Sequence, residues 1–432
     1  MKPSGRNGFA RRTPTGLMVR GCVVLLVIVL LIDPSDMMLH LKMPFFALVM
    51  LLWLYRQVWV SSQIRRERDR RLNRSVWIAT LVVALVIPSI WTLIGIISAN
   101  VHSGDTPFGL LKTFLFFLIV PVLISERIDL MAIIEKSSVL VAVITFLLVA
   151  ASLISPQLLI GLLFFIMDHR NGIITPDRNV FGLGLGEFYY STCPIMIFPF
   201  SRHCWTMMEG RAGCRIGAAT LCVFFGSALL LTGARANILA ALCLLFFFVL
   251  RRIRKSAGWA TALMIGVLMV TAAAVTVVPR AVNPREGSNA IKLGHIHSYE
   301  EEFNERPSVL LWGEGANSAF YSEGFKAWTT VTEVTYLELV RIFGLPMAAL
   351  LCAGLVWVAS RLFIRGALAT GLAFVAYLGI ASSNPLLLNS MGFLVVGAAY
   401  VHAQRCAEAE RQQNTEHGVW AKAPPLSVAS DF

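Results

Sequence analysis

Charged side chains are scarce in this chain. Only 14% of its 432 residues are Asp, Glu, Lys or Arg, whereas 56% are hydrophobic, and the mean hydropathy is +0.70. This small polar fraction cannot cover the surface of a soluble globule of this size. The composition therefore excludes a soluble fold and predicts an all-α, polytopic membrane protein. The apolar stretch 17–32 follows a basic start and is not followed by a small-residue cleavage signal, so it is predicted to be a retained first span.

Several chemical motifs are also missing. None of the eight cysteines forms a Cys-x-x-Cys pair or lies in the long segment after Pro279, so neither disulfides nor a thiolate metal site is expected. The chain has no Gly-x-Gly-x-x-Gly fingerprint, no Gly-x-Ser-x-Gly elbow and no His-Glu-x-x-His pair. His295 and His297, with Glu300 nearby, are a weak candidate for metal ligation, because histidines in an acidic loop are more often simply solvated. The sequence therefore predicts neither a cofactor nor a catalytic metal.

Negative charge is scarcer than positive charge, with 25 acidic against 37 basic residues and a net charge of +12. The basic residues gather in short clusters beside apolar stretches, as at 64–74 and 251–255. The positive-inside tendency and anionic lipid headgroups explain that placement more simply than nucleic acid does. Membrane lipids are therefore expected contacts of this chain, and nucleic acid is not.

About twelve apolar stretches can cross the hydrocarbon layer if some of them borrow flanking residues. They lie at 17–32, 43–62, 76–98, 108–125, 137–154, 180–200, 216–232, 236–250, 258–278, 334–359, 366–382 and 390–403. With the N-terminus inside, the predicted organisation is an N-terminal cytoplasmic segment and nine spans in 1–278, one large outer loop at 279–333, three spans in 334–403, and a disordered cytoplasmic tail at 404–432. The shorter apolar stretch 158–167 is predicted to be an interfacial or re-entrant helix.

Arg235 is the first candidate site residue. It lies where one apolar helix is predicted to end at 232–233 and the next to begin almost at once, which places a permanent cation at the outer membrane surface. A guanidinium group binds phosphate oxygens in a bidentate manner, and the free N–H groups of a helix N-terminus favour anions as well. This pattern predicts capture of a phosphate, although a cation anchored among lipid headgroups is the alternative. Arg170 and Arg178 lie in an outer segment before the sixth span. Two roles are open for them: further contacts to phosphate, or a place on an ordinary loop surface.

Glu333 is the second candidate, at the outer end of the tenth span. A carboxylate there can accept a proton from a sugar hydroxyl, or it can simply favour the helix dipole. Tyr336, three residues later, shares that helix face and is predicted to contact a sugar, while Gly344 lets another helix approach closely. Arg341 follows Glu338 by three residues, so an ion pair between them is expected, with substrate binding by Arg341 as the second possibility.

Two short motifs resemble the O-antigen ligase and Wzy-type polymerase superfamily of bacterial cell-surface polysaccharide assembly. Thr-Gly-Ala-Arg-Ala-Asn-Ile-Leu at 232–239 is similar to the family's Thr-Gly-Ser-Arg joint with Arg-x3-Leu. Glu-Val-Thr-Tyr-Leu-Glu-Leu-Val-Arg-Ile-Phe-Gly at 333–344 is similar to its His-x10-Gly element, with glutamate in place of the ligase histidine. A looser resemblance covers about residues 108–400 and includes 170–179, 311–316 and 383–386.

The resemblance implies a bacterial inner-membrane glycosyltransferase that takes a glycan from undecaprenyl pyrophosphate without a nucleotide sugar or an obligatory metal, and whose large outer loop is periplasmic. Because the ligase histidine is replaced, a polymerase that joins lipid-linked repeat units is favoured, with a chain-length regulator as a candidate partner. The expected roles are a proton acceptor for Glu333 and diphosphate binding for Arg235 with Arg170 or Arg178. An O-antigen ligase acting on lipid A-core is the nearer alternative, and a membrane transporter is the more distant one.

Overall fold

The computed structural model describes residues 14–59, 74–97, 108–169, 172–180, 185–210, 212–253 and 287–421. Most of these residues are helical. The helices are α1 Pro14–Ile32, α2 Lys42–Trp59, α3 Arg74–Ile97, α4 Gly109–Ser125, α5 Leu130–Ile154, α6 Pro156–Asp168, α7 Ile197–Glu209, α8 Ala212–Leu231, α9 Arg235–Ile253, α10 Gly287–Glu305, α11 Ser308–Trp312, α12 Thr335–Ile364, α13 Leu368–Ala381 and α14 Ser390–Ala421. Two antiparallel hairpins join strands β1 Gly172–Val180 with β2 Leu185–Tyr190, and β3 Phe320–Ser322 with β4 Ala327–Thr329.

Within these described ranges, five helices are long and apolar enough to cross a membrane, which fits the fold class expected from composition. They are Pro14–Ile32, Arg74–Ile97, Leu130–Ile154, Gly213–Leu231 and Thr335–Ile364. The interior of a membrane holds no water to bind backbone polar groups. Apolar helices suit it because every backbone N–H and C=O group away from the helix ends is paired inside the helix. The count of about twelve spans stays a prediction, and the ninth predicted span, at 258–278, lies outside the described residues.

The largest buried cluster lies between α1, α4, α5, α7, α13 and α14. Helix α7 packs against α8, α9 and α13, and the hydroxyl of Ser201 donates to the Ala369 carbonyl 2.7 Å away. The indole of Trp53 similarly donates to the Ser125 hydroxyl at 2.8 Å between α2 and α4. These polar contacts between apolar helices satisfy groups that lipid could not.

The sixth predicted span, 180–200, is wrong. Val180 ends strand β1 and Leu185–Tyr190 form strand β2, and helix α7 begins only at Ile197, after a short 3-10 turn at Cys193–Met196. Glycine stands at 182, 184 and 186, and each glycine costs about 1 kcal/mol in a helix relative to alanine. The aromatic run 188–190 suits a strand instead. The helix predicted around 158–167 is present as α6.

The predicted disordered tail is also wrong in part, because α14 continues as a helix to Ala421. Residues 404–413 are dominated by Ala, Glu, Arg and Gln. These residue types have high helix propensity, so the helix extends beyond its apolar part. Residues 422–432 lie outside the described residues.

Helix α12 is kinked at Gly344, whose φ is +73°. Pro346 lacks an N–H group, so the carbonyl of Ile342 loses its intrahelical donor. The carbonyls of Arg341 and Ile342 instead accept the backbone N–H groups of Glu314 at 2.8 Å and Gly315 at 3.1 Å. The kink therefore binds the segment that follows α11.

The glycine at the kink permits this close approach. A Cβ atom at Gly344 would lie 2.4 Å from the Leu311 carbonyl oxygen and 3.0 Å from the Gly313 nitrogen. The expected close approach at Gly344 is thus present, although the neighbour is α11 and its following turn rather than a long helix.

Gly344→Ala is expected to destabilise the protein by at least about 2 kcal/mol, since a left-handed conformation costs a non-glycine residue about 1–2 kcal/mol before any clash. Gly354→Ala on the same helix is the matched control, because nothing lies within 4 Å of its would-be Cβ. Thermal unfolding of both variants in detergent measures the difference. Equal melting temperatures would show that the kink does not hold α11.

Candidate functional site

The break between α8 and α9 forms the predicted joint around Arg235. Helix α8 ends at Leu231, Gly233 has φ +66°, and α9 begins at Arg235 itself. The hydroxyl of Thr232 donates to the Leu229 carbonyl at 2.7 Å and accepts from the Ala234 N–H at 3.3 Å. The turn is therefore fixed by its own side chain, and Arg235 occupies the first helical position, beside backbone N–H groups that have no intrahelical acceptor.

Strand β2 is attached to this joint. The backbone N–H of Phe188 donates to the Thr232 carbonyl at 3.1 Å, so the hairpin crosses the end of the α8 and α9 pair. Other contacts fix the same strand to α1, because the hydroxyl of Tyr190 donates to the Ile32 carbonyl and that of Thr192 donates to the Leu31 carbonyl. The C-terminal end of α1 and the Arg235 joint therefore lie at the same end of the bundle.

Tyr189 connects the hairpin to Glu333. Burial raises the pKa of its phenol well above the ordinary value, and the charges of Cys193, Tyr377, Glu333 and Glu187 act in the same direction. Glu333 is thus one of the charges that act on Tyr189, and the residue before Tyr189, Phe188, contacts the Arg235 joint. Phe188 and Tyr189 of β2 therefore interact with the Arg235 joint and with the charge of Glu333, respectively.

Glu333 itself is partly accessible. Its side chain is 26% exposed, and its Oε2 lies 3.8 Å from the Nζ of Lys292 on α10. The N-cap position of α12 is occupied by Val334 rather than by Glu333. A half-buried carboxylate beside a cation can exchange protons with a bound hydroxyl group.

Tyr336 contacts the protein rather than standing free at this site. Its hydroxyl donates to the Leu378 carbonyl at 3.1 Å, and the hydroxyl of Thr335 donates to the Asn384 carbonyl at 2.6 Å. Both bonds join the start of α12 to the end of α13. In this arrangement Tyr336 fixes the helix that follows Glu333, whereas the sequence predicted that it contacts a sugar.

Three buried polar atoms near these elements are unsatisfied. The hydroxyls of Tyr189 and Tyr377 and the Oδ1 of Asn237 are enclosed, yet none has a hydrogen-bond partner among the residues that the structure describes. An unpaired buried polar atom costs about 1–3 kcal/mol, so such a group is expected to meet a polar ligand or water. No sequence pattern marks these three residues, because each looks like an ordinary member of an apolar segment.

Arg341 forms the centre of a buried ion network. Its guanidinium group is 0% exposed and pairs with Glu338 at 2.7 Å and with Glu314 at 2.7 Å. It also donates to the carbonyls of Ser318 at 3.0 Å and Thr330 at 3.1 Å. The predicted ion pair with Glu338 is present. The proposed substrate contact of Arg341 does not fit this geometry, because all three of its nitrogen atoms donate to protein acceptors.

A second part of the network includes Glu302 and Arg306. Arg306 pairs with Glu302 and lies 2.6 Å from Glu314, so the carboxylates of Glu302, Glu314 and Glu338 face the guanidinium groups of Arg306 and Arg341. Burial and the charge of Glu314 raise the pKa of Glu302 from 4.5 to about 7, although Arg306 and Arg341 oppose the rise. Glu302 therefore holds its proton to a higher pH than an ordinary carboxyl group does.

The remaining predicted residues are less defined. Arg170 lies outside the described residues, as does the side chain of Arg178, whose backbone belongs to β1. Its strand position falls in the irregular part of the hairpin, between the pairs formed by Thr175 and Val180. Arg178 therefore belongs to the hairpin that contacts the Arg235 joint.

No protein-family model, curated protein or solved structure matches this chain. Function has to be inferred from the residues and their contacts.

Arg341→Met is expected to reduce stability by about 3–5 kcal/mol, because it leaves buried carboxylates without their partner. Arg361→Met on the same helix is the control. Arg361 is exposed and lies over the Trp357 ring, so its loss is expected to cost less than about 1 kcal/mol. Thermal unfolding in detergent distinguishes the two, and a similar small decrease for both would contradict the assigned role of Arg341.

Stability is expected to fall as the pH rises from 4.5 through about 7, because folded Glu302 holds a proton that the unfolded chain releases. Glu302→Gln keeps the neutral shape, so it is expected to raise the melting temperature at pH 8 and to have little effect at pH 5. Glu305→Gln, at an exposed position on the same helix, serves as control. An unchanged melting temperature of Glu302→Gln at pH 8 would refute this assignment.

Proposed function

We propose that this protein is a membrane polysaccharide polymerase, which transfers a glycan from a lipid pyrophosphate to the hydroxyl of a lipid-linked acceptor at the outer membrane face. The observation that supports it most is that β2 contacts the Arg235 joint through Phe188 while the charge of Glu333 acts on the next residue of the strand, Tyr189. A cation for the leaving group and an acceptor for the incoming proton then border one region. Such a pairing is what glycosyl transfer from a pyrophosphate needs.

The role assigned to Arg235 is electrostatic. As the bond between the anomeric carbon and the pyrophosphate oxygen breaks, negative charge grows on the leaving group. A guanidinium group fixed at a helix N-terminus stabilises that charge more in the transition state than in the ground state. Arg178, on the attached hairpin, is proposed to add a second contact, and Arg170 is proposed as an alternative.

The role assigned to Glu333 is that of general base. Its carboxylate takes the proton of the acceptor hydroxyl while the hydroxyl oxygen forms a bond to the anomeric carbon and the pyrophosphate departs with the electron pair. The Nζ of Lys292 lies 3.8 Å from this carboxylate. The chemistry calls on no metal or cofactor.

The buried network holds Glu333 in place. Arg341 binds the carbonyl of Thr330, and the hydroxyl of Thr332 lies 2.5 Å from that of Tyr299, which also donates to Glu338. The backbone that carries Glu333 is therefore fixed on its N-terminal side by α10 and on its C-terminal side by the bonds of Thr335 and Tyr336. Arg341 is a positioning residue in this scheme rather than a substrate ligand.

The unsatisfied atoms support a polar substrate. The hydroxyls of Tyr189 and Tyr377 are both buried, and both lack a hydrogen-bond partner among the described residues. Sugar hydroxyls offer donors and acceptors that match them. We assign these two residues to the acceptor side of the site.

The test is glycan length in a deletion strain that expresses variants at matched membrane levels. Arg235→Ala and Glu333→Gln are each expected to reduce the product to single repeat units, a loss of at least about 100-fold in polymer, since removing one charge-stabilising group costs about that factor. Tyr189→Phe is expected to give a smaller loss.

The controls change the same residue types elsewhere. Arg252→Ala alters an exposed arginine in the last turn of α9, and Glu305→Gln alters an exposed carboxylate on α10; both are expected to give wild-type glycans. Full-length glycans from Arg235→Ala and Glu333→Gln would refute the assigned roles. If deletion leaves polymerised but unattached chains, the protein is a ligase instead.

A further inference from the structure

A group of three metal-ligating side chains lies outside the proposed active site. His297 and Glu301 lie one turn apart on α10, and Glu323 lies in the turn between β3 and β4. The Nδ1 of His297 lies 2.9 Å from the Glu323 carboxylate and 3.8 Å from that of Glu301, and all three ligand atoms fall within 4.8 Å of one another. Donor atoms bound tetrahedrally to one zinc ion lie about 3.4 Å apart, so small side-chain rotations complete the geometry.

The turn that carries Glu323 is held against the helix independently of these three side chains. The backbone N–H of Glu323 donates to the Ser298 hydroxyl at 2.8 Å, and the buried ring of His295 contacts the Ser322 hydroxyl at 2.7 Å. Gly294 and Gly324 pack so closely that a Cβ on Gly294 would lie 2.6 Å from the Gly324 nitrogen. Both ligand-bearing elements are thus fixed before any ion binds, which lowers the entropic cost of binding.

In the sequence, His295 and His297 stand together with Glu300. The structure separates the two histidines, because His295 is 0% exposed and faces the hairpin, whereas His297 and Glu301 are each more than half exposed. His297 meets Glu301, which lies one helical turn away, and Glu323, which comes from a hairpin that is distant along the chain. No short sequence motif could have indicated Glu323.

We propose that His297, Glu301 and Glu323 bind a divalent transition-metal ion of the zinc class, with water completing its coordination. One imidazole nitrogen and two carboxylates favour such ions over Mg²⁺ or Ca²⁺, which prefer oxygen ligands alone. The ion neutralises two carboxylates and takes the Nδ1 lone pair of His297, so the proton that Nδ1 shares with Glu323 moves to Nε2 of the neutral imidazole or, from an imidazolium, to solvent. It ties α10 to the hairpin of β3 and β4 and is independent of the proposed transfer reaction.

The site is tested with full-length protein in detergent, purified with a tag that lacks histidine and treated with a chelator. Calorimetric titration with Zn²⁺ alone is expected to show one saturable site, and Zn²⁺ is expected to raise the melting temperature. His297→Ala and Glu323→Gln are each expected to weaken that binding at least tenfold. Glu300→Gln, an exposed carboxylate on the same helix outside the group, is expected to bind as the wild type does.

The proposal is overturned if the wild-type protein shows no saturable zinc binding, or if His297→Ala and Glu323→Gln bind as tightly as Glu300→Gln. Titration with Mg²⁺ is a second measurement. Tighter binding of Mg²⁺ than of Zn²⁺ would contradict the part assigned to the imidazole.

Discussion

The proposed site depends on the ion pairs and hydrogen bonds of the buried Arg341 guanidinium group. A charge removed from water is tolerated only when partners surround it, and here Glu338, Glu314 and two backbone carbonyls supply them. These acceptors come from three different segments, before α12, within it and after α11. Because one of these partners is the Thr330 carbonyl, Arg341 also fixes the backbone that carries Glu333.

A second constraint is the pair of helix breaks. At Gly344 the kink frees two carbonyls that bind the segment after α11, and at 232–234 the break gives Arg235 a helix N-terminus and offers the Thr232 carbonyl to β2. Irregular backbone in a membrane protein is stable only where protein or water satisfies it. Both breaks are satisfied by neighbouring segments of the protein, the turn after α11 at the kink and β2 at the joint.

The sequence predicted the all-α class, the joint at Arg235, the ion pair of Arg341 and the helix at 158–167, because each follows from local composition or spacing. It failed at 180–200, where residues 185–190 form a strand rather than part of a span, and at 404–421, where a polar segment is helical. Neither Glu314 nor Tyr299 was singled out, since their partners are distant along the chain. The contacts that assemble a site from separate segments leave no periodic signal in the sequence.

In the proposed site, Arg235 and Glu333 face the same aqueous side of the membrane. Labelling of intact cells with a membrane-impermeant thiol reagent tests it most directly, with Arg235→Cys and Glu333→Cys introduced singly after the eight native cysteines have been replaced. Both positions are expected to react from outside, whereas Arg252→Cys at the other end of α9 reacts only after the membrane is opened. Reaction of the first two positions from opposite sides would contradict the account.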